Sequence, residues 1–157
     1  MSIEHLHLKG FKSFGSCCEF SFPAGFTAIV GPNGSGKSNI LDGLRWILGE
    51  GSPSALRIVR QSDLLFQGSA TVPPAKEAEV TLRLSGADGT ATLRRQYSAE
   101  GGAVLQVDGV RIRMQDLDEV KARFMLEGES FAFIGQGEVS EAIHQRPMQR
   151  RHHLELL

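Results

Sequence analysis

Neither charge sign is in excess: 17 Lys and Arg stand against 18 Asp and Glu, a net charge of −1. Such a balance gives no general attraction to polyanions, so any nucleic-acid contact has to come from a local patch. Cysteine is nearly absent. Cys17 and Cys18 are adjacent, which excludes a disulfide framework and leaves no metal-binding spacing. His5 and His7 lie on the polar side of an alternating segment with no further ligand at zinc-like spacing, so they read as solvated. No apolar stretch follows Met1 in the manner of a leader, and none approaches membrane-spanning length. The expectation is a cytoplasmic protein with no membrane role of its own. There is no internal repeat. What remains is ordinary: 157 residues, 41% hydrophobic and 22% charged, enough for one domain with a real core.

Against that background one stretch stands out. Gly31-Pro32-Asn33-Gly34-Ser35-Gly36-Lys37-Ser38 satisfies every fixed position of the phosphate-binding pattern G-x-x-x-x-G-K-[ST]. Phe26 to Val30, before it, is a short apolar run expected to form a buried strand. Ile40, Leu41, Leu44, Ile47 and Leu48, after it, recur at helical spacing. In the order strand, glycine-rich loop, helix, backbone N–H groups converge on an anion and the helix adds its free N–H groups and positive dipole end. Lys37 supplies a point charge for the terminal phosphates, and the Ser38 hydroxyl suits Mg²⁺. Nucleotide binding follows from the motif; the use made of the nucleotide does not.

Around this centre, residues 2–9 and 17–22 alternate and predict an antiparallel pair, with Gly15-Ser16 as its turn and Cys18, Phe20 and Phe22 on one side. The helix should stop at the breaker cluster Gly49 to Pro53, followed by an irregular segment over 52–77 with a small apolar knot at Leu64-Leu65-Phe66. Residues 78–113 predict an antiparallel meander. Val80, Leu82 and Leu84 share one face of its first strand, and Leu93, Arg95 and Tyr97 one face of its second; Asp108-Gly109 is a hairpin turn. A helix is expected over Gln115 to Met125 with Leu117, Val120 and Phe124 inward, then a short strand over Phe131 to Ile134 that runs into Gly135-Gln136-Gly137, then further helix to Leu157. An ATPase of this type needs an acid at the end of a second core strand. Asp63 and Asp116 do not follow such strands, so the hydrolytic half of the site is expected to lie outside these residues.

Taken together, Leu8 to Phe14 (LKGFKSF), the loop through Asn39-Ile40, Arg45 to Glu50 (RWILGE), Phe66 to Ser69, Ile134 to Gly137 and Arg150-Arg151 closely resemble the N-terminal half of the ATPase head of structural maintenance of chromosomes (SMC) proteins. The resemblance runs over essentially the whole chain. It implies an α/β P-loop NTPase of the ABC type, a RecA-like core with an attached antiparallel β-meander, incomplete without its C-terminal half. Residues 1–157 would be the N-terminal lobe, with the P-loop at 31–39, the meander at about 78–113 and the Q-loop at about 135–137.

The resemblance further implies ATP and Mg²⁺ as cofactors and a C-terminal half that returns after a long coiled coil with the Walker B acid, catalytic glutamate and signature motif. Two heads would pair around ATP as a homodimer, with a kleisin subunit and chromosomal DNA as partners and a nucleoid location. By motif position, Gly31, Pro32, Asn33, Gly34, Ser35, Gly36, Lys37, Ser38 and Asn39 would hold nucleotide, and Lys12 and Ser13 approach it. Lys37 and Gln136 would act in hydrolysis, Ser38 and Gln136 would reach Mg²⁺, and Arg57 would sense DNA. The chain alone is expected to bind ATP without turning it over.

Two stretches depart from the family pattern, Met125 to Ser130 and His152 to Leu157. The second leaves open a truncated piece, one part of a split head, or a shortened gene product. The cluster Arg146, Arg150 and Arg151 with His152 and His153 reads as the solvated face of a helix, the alternative being a contact with phosphate or an acidic partner. The alternatives are a RecF- or RecN-like DNA-repair ATPase and, less well matched, a transporter nucleotide-binding domain, for which the 99 positions from Lys37 to Gln136 are long. A small-molecule kinase would need an arginine-bearing lid and its own acid, and neither is visible.

Overall fold

The computed structural model describes residues 2–87, 89–124 and 126. Six strands form one antiparallel sheet: β1 (Ser2–Lys9), β2 (Cys18–Ser21), β3 (Glu77–Gly86), β4 (Gly89–Ser98), β5 (Gly102–Val107) and β6 (Val110–Ile112). Their order across the sheet is β2-β1-β3-β4-β5-β6, so the N-terminal pair and the meander expected from the alternation are one continuous surface. The join is the β1–β3 ladder, which sets Leu6 against Leu82 and Leu8 against Val80; the next ladder sets Val80 against Arg95 and Leu82 against Leu93. Because side chains alternate along each strand, these residues share one face, and it is buried.

The long helix α1 (Lys37–Ile47) lies on that face, with Ile40, Trp46 and Ile47 buried. Gly43 permits the close approach: a Cβ there would sit 2.8 Å from Leu8 Cδ2. Trp46 stacks on Phe11 with ring centroids 5.5 Å apart. Of the apolar residues at helical spacing, Ile40, Ile47 and Leu48 are buried and Leu41 and Leu44 half-buried, and Asp42, Gly43 and Trp46 are buried beside them. Short helix α2 (Leu117–Arg123) buries Leu117 beside Gly49, and Phe124 lies against Gly86. It starts two residues later than expected, because Met114–Asp116 forms a separate 3₁₀ turn.

Two expectations need correction. The first reversal is not centred on Gly15-Ser16. Phe11 and Phe14 bridge each other by backbone hydrogen bonds of 3.1 and 2.8 Å, so the tight turn falls on Lys12 and Ser13. Residues 26–30 form no strand, and Phe26 and Val30 are 94% and 87% exposed. A buried central strand needs ladder partners on both sides, and none of the six described strands pairs with this run. The expected strand over Phe131 to Ile134, Gln136, and the Arg146 to His153 cluster lie outside the described residues.

Candidate nucleotide site

The loop Gly31–Gly36 leads into α1 through glycines in conformations other residues avoid. Gly36, the residue at the helix N-terminus, has φ 91°, and a Cβ on it would fall 2.6 Å from Ser13 Oγ. That position therefore requires glycine for two independent reasons. Among the described residues the N-terminus of α1 has no side-chain cap, and its first turn holds no acidic residue. A helix start of that kind leaves N–H donors and the positive dipole end for an external anion. Lys37 Nζ donates to the carbonyls of Gly31 and Pro32, both at 2.8 Å, so the ammonium is folded over its own loop without a carboxylate partner in those bonds. Ser38 is exposed. This donor set, with an ammonium, a hydroxyl and an uncapped helix start, fits a polyphosphate with its divalent cation.

Beside the loop, Ser13 Oγ accepts from Asn39 Nδ2 at 2.9 Å, which ties the Lys12–Ser13 turn to the first turn of α1. Asn39 Oδ1 in turn accepts from Arg57 at 3.2 Å. Lys12, Ser13, Asn39 and Arg57, singled out separately in the sequence, are thus brought into one cluster.

At its centre is a residue the sequence pattern did not reveal, Asp42. Its side chain is 2% exposed and is shared by two cations. Lys12 Nζ pairs with Asp42 Oδ2 and also donates to the Leu56 carbonyl. Arg57 donates to both carboxylate oxygens, at 2.6 Å from Nη2 and 3.3 Å from Nε. The available signal was positional: Asp42 lies four residues before Trp46, on the row that α1 turns inward.

Asp63 and Asp116 each close a 3₁₀ turn. Asp63 accepts from the Val59 and Arg60 backbone N–H groups at 2.9 and 3.0 Å, and Asp116 accepts from the Arg113 side chain and backbone. The backbone N–H groups hold the Asp63 carboxyl below its usual range, and the Arg113 side chain does the same first for Asp116. Their capping roles account for these carboxylates without catalysis. His5 lies 3.4 Å from Glu19, and His7 Nε2 is 2.9 Å from Cys17 Sγ. Among the described residues no group of three His, Cys, Asp or Glu can hold a metal, and no helix is long and apolar enough to cross a membrane.

The loop, the inward row of α1 and the attached meander coincide with one family: the model of the RecF/RecN/SMC N terminal domain matches residues 2–133. This chain belongs to that family. It is 35% identical to the chromosome partition protein Smc of Mycolicibacterium paratuberculosis, over 99% of this chain and 14% of that protein. It therefore spans about one seventh of the length of such curated relatives. Among solved structures, it is 37% identical to an SMC ATPase studied for ATP-driven dimerization and DNA-stimulated activation, with a TM-score of 0.89 covering 97% of this chain and 96% of that one. An Smc head bound to the C-winged helix domain of ScpA is 36% identical with a TM-score of 0.86, covering 97% of this chain and 50% of that one. The fold is accordingly that of an SMC head, matched through its N-terminal part.

Proposed function

We propose that residues 1–157 are the N-terminal lobe of an SMC-type ATPase head, binding ATP and Mg²⁺ and acting on chromosomal DNA once a C-terminal lobe completes it. The observation that carries the reading is the start of α1, without a side-chain cap among the described residues, behind an intact phosphate loop whose Gly31 and Pro32 carbonyls accept from Lys37. Gly31 to Asn39 would hold the triphosphate, Lys37 its terminal charge, and the Ser38 hydroxyl the cation. Bound Mg²⁺ would offset phosphate charge. The Q-loop glutamine, Gln136, would complete the cation and water contacts. The exposed run Phe26 to Val30 is consistent with a core strand whose neighbours belong to another segment.

By analogy with the related SMC ATPase and the ScpA-bound head, the partners would be a second head in a homodimer, a kleisin subunit, and DNA in the nucleoid. Arg57 would carry the DNA response. Phosphate release from the chain mixed with its matching C-terminal lobe tests this reading. The mixture should hydrolyse ATP, the chain alone should not, and Lys37→Ala should abolish the activity. Concentration-independent turnover by the chain alone, lost on Lys37→Ala, would refute the half-head reading.

A further inference from the structure

Three non-glycine residues among those described have left-handed backbones: Lys12 at φ 48°, Arg57 at φ 52° and Asp108 at φ 49°. Asp108 sits in a hairpin turn, where such a conformation is ordinary. The other two have a common feature: each directs a cationic side chain onto Asp42. Left-handed backbones at side-chain-bearing residues persist where the surroundings over-determine them. Lys12 has such a backbone in the tight turn between Phe11 and Phe14, and Arg57 in the turn closed by backbone bonds from Arg57 to Ser54 and from Ile58 to Pro53; from both turns the side chain reaches the same carboxylate.

The two cations are not equivalent. Lys12 is 9% exposed, and its ammonium has a second acceptor in the Leu56 carbonyl. Arg57 is 50% exposed, and its guanidinium also reaches Asn39, within the first turn of the P-loop helix. One partner is built in, while the other is at the surface and bears on the phosphate site. Removing an arginine from a buried carboxylate is costly when it leaves the carboxylate unpaired. With Lys12 in place it does not.

We propose that Asp42 is a positioning residue of the nucleotide site: it holds Arg57 beside Asn39 when the loop is empty and releases it toward a bound triphosphate, with Lys12 keeping the carboxylate compensated. The proposal rests on the nucleotide-binding reading of the loop. Asp42 itself touches no ligand and acts through Arg57. An anion at the start of α1 competes with the Asp42 carboxylate for the same planar fork of donors, which suits phosphate and carboxylate alike.

The test is a double-mutant cycle on the protein with Asp42→Asn, Arg57→Gln and the pair, read two ways. The first readout is affinity for a fluorescent ATP analogue with Mg²⁺. Arg57→Gln should weaken it about fivefold, Asp42→Asn should tighten it by freeing Arg57, and the pair should match Arg57→Gln alone, because Asp42 acts only through Arg57. A pair that shows the product of the single effects overturns the proposal, since it means Asp42 acts apart from Arg57. The second readout is the Arg57 Nε–H NMR signal, assigned by its loss in Arg57→Gln. It should move on ATP addition in the wild type, and Asp42→Asn should already move it without ATP. A signal indifferent to both overturns the proposal. Lys12→Gln serves if Asp42→Asn loses its folded spectrum: Arg57, then the only compensating cation, should respond less to ATP, and an undiminished response is contrary. Lys37→Ala separates the two readings. If it binds ATP like the wild type, the nucleotide site has been misassigned, while the ligand-free Arg57 signal still decides whether Asp42 holds that side chain.

Discussion

The guanidinium of Arg95 lies over the ring of Trp46, 4.7 Å from its centroid, and donates to the Trp46 backbone carbonyl. A second, longer bond of 3.4 Å reaches the Glu50 carbonyl. Arg95 belongs to β4 and Trp46 to the last turn of α1, so the meander grips the end of the helix whose other end forms the phosphate loop. A cation suits that end, where free carbonyls and the negative dipole end gather. The contact has a cost: Arg95 is 8% exposed, its Nε has no hydrogen-bond partner among the described residues, and burial pushes its pKa down to about 10.

Arg95→Ala should destabilise the protein by about 2–4 kcal/mol, from a cavity plus lost bonds to helix-end carbonyls. Arg95→Met, which refills the volume and removes the orphan Nε, should cost about half as much. Urea unfolding of the three proteins measures both. A cost within about 0.5 kcal/mol for the alanine variant, the range of an ordinary surface change, would show that the grip on α1 contributes little.

Gly36→Ala should lower stability by about 1–3 kcal/mol from backbone strain alone, plus the displacement of Ser13. Gly25 has a similar φ of 98° but no described atom within 4 Å of its would-be Cβ, so Gly25→Ala carries the strain without the collision. The difference between the two variants reports the contacts with Ser13 and Phe14. Nucleotide affinity should fall at least about tenfold, or 1.4 kcal/mol, for Gly36→Ala and stay near wild type for Gly25→Ala. Equal melting temperatures and equal affinities for the two variants would contradict this packing of the loop.

The two capping carboxylates give a pH dependence. Asp63 and Asp116 both have folded values below the usual 3.8. A depressed carboxylate binds fewer protons folded than unfolded in that range. Its stabilising contribution is therefore complete above the unfolded value and is lost as pH falls through the folded one. Asp63→Asn and Asp116→Asn should each flatten the decline of the urea midpoint below about pH 4 and leave the slope near neutrality unchanged. An unaltered acid slope in both variants would mean these caps do not survive in solution.

Legibility in the sequence followed locality. The alternation of Val80, Leu82 and Leu84, and of Leu93, Arg95 and Tyr97, announced strands because a half-buried sheet imposes that period on neighbouring residues. The P-loop was legible because its chemistry is contained in eight consecutive residues. Asp42 was not, because its partners lie 30 and 15 positions away and only the fold assembles them. The β1–β3 join was hidden for the same reason: no local signal says that residue 6 faces residue 82. Phe26 to Val30 read as a buried strand from its apolar character, but strand formation depends on edges that other segments supply. Lys12 and Arg57 gave no sequence sign of left-handed backbones, which non-glycine residues adopt only under tertiary constraint.

Gly31 to Ser38 is proposed to hold nucleotide without turning it over. Titration calorimetry of the purified protein with ATP and Mg²⁺, beside Lys37→Ala, tests it most directly, with phosphate release followed in the same samples. Saturable binding by the wild type, at least about tenfold weaker binding by Lys37→Ala, and no phosphate release by either are expected. Equal binding by the two proteins, or none by a folded wild type, would contradict it.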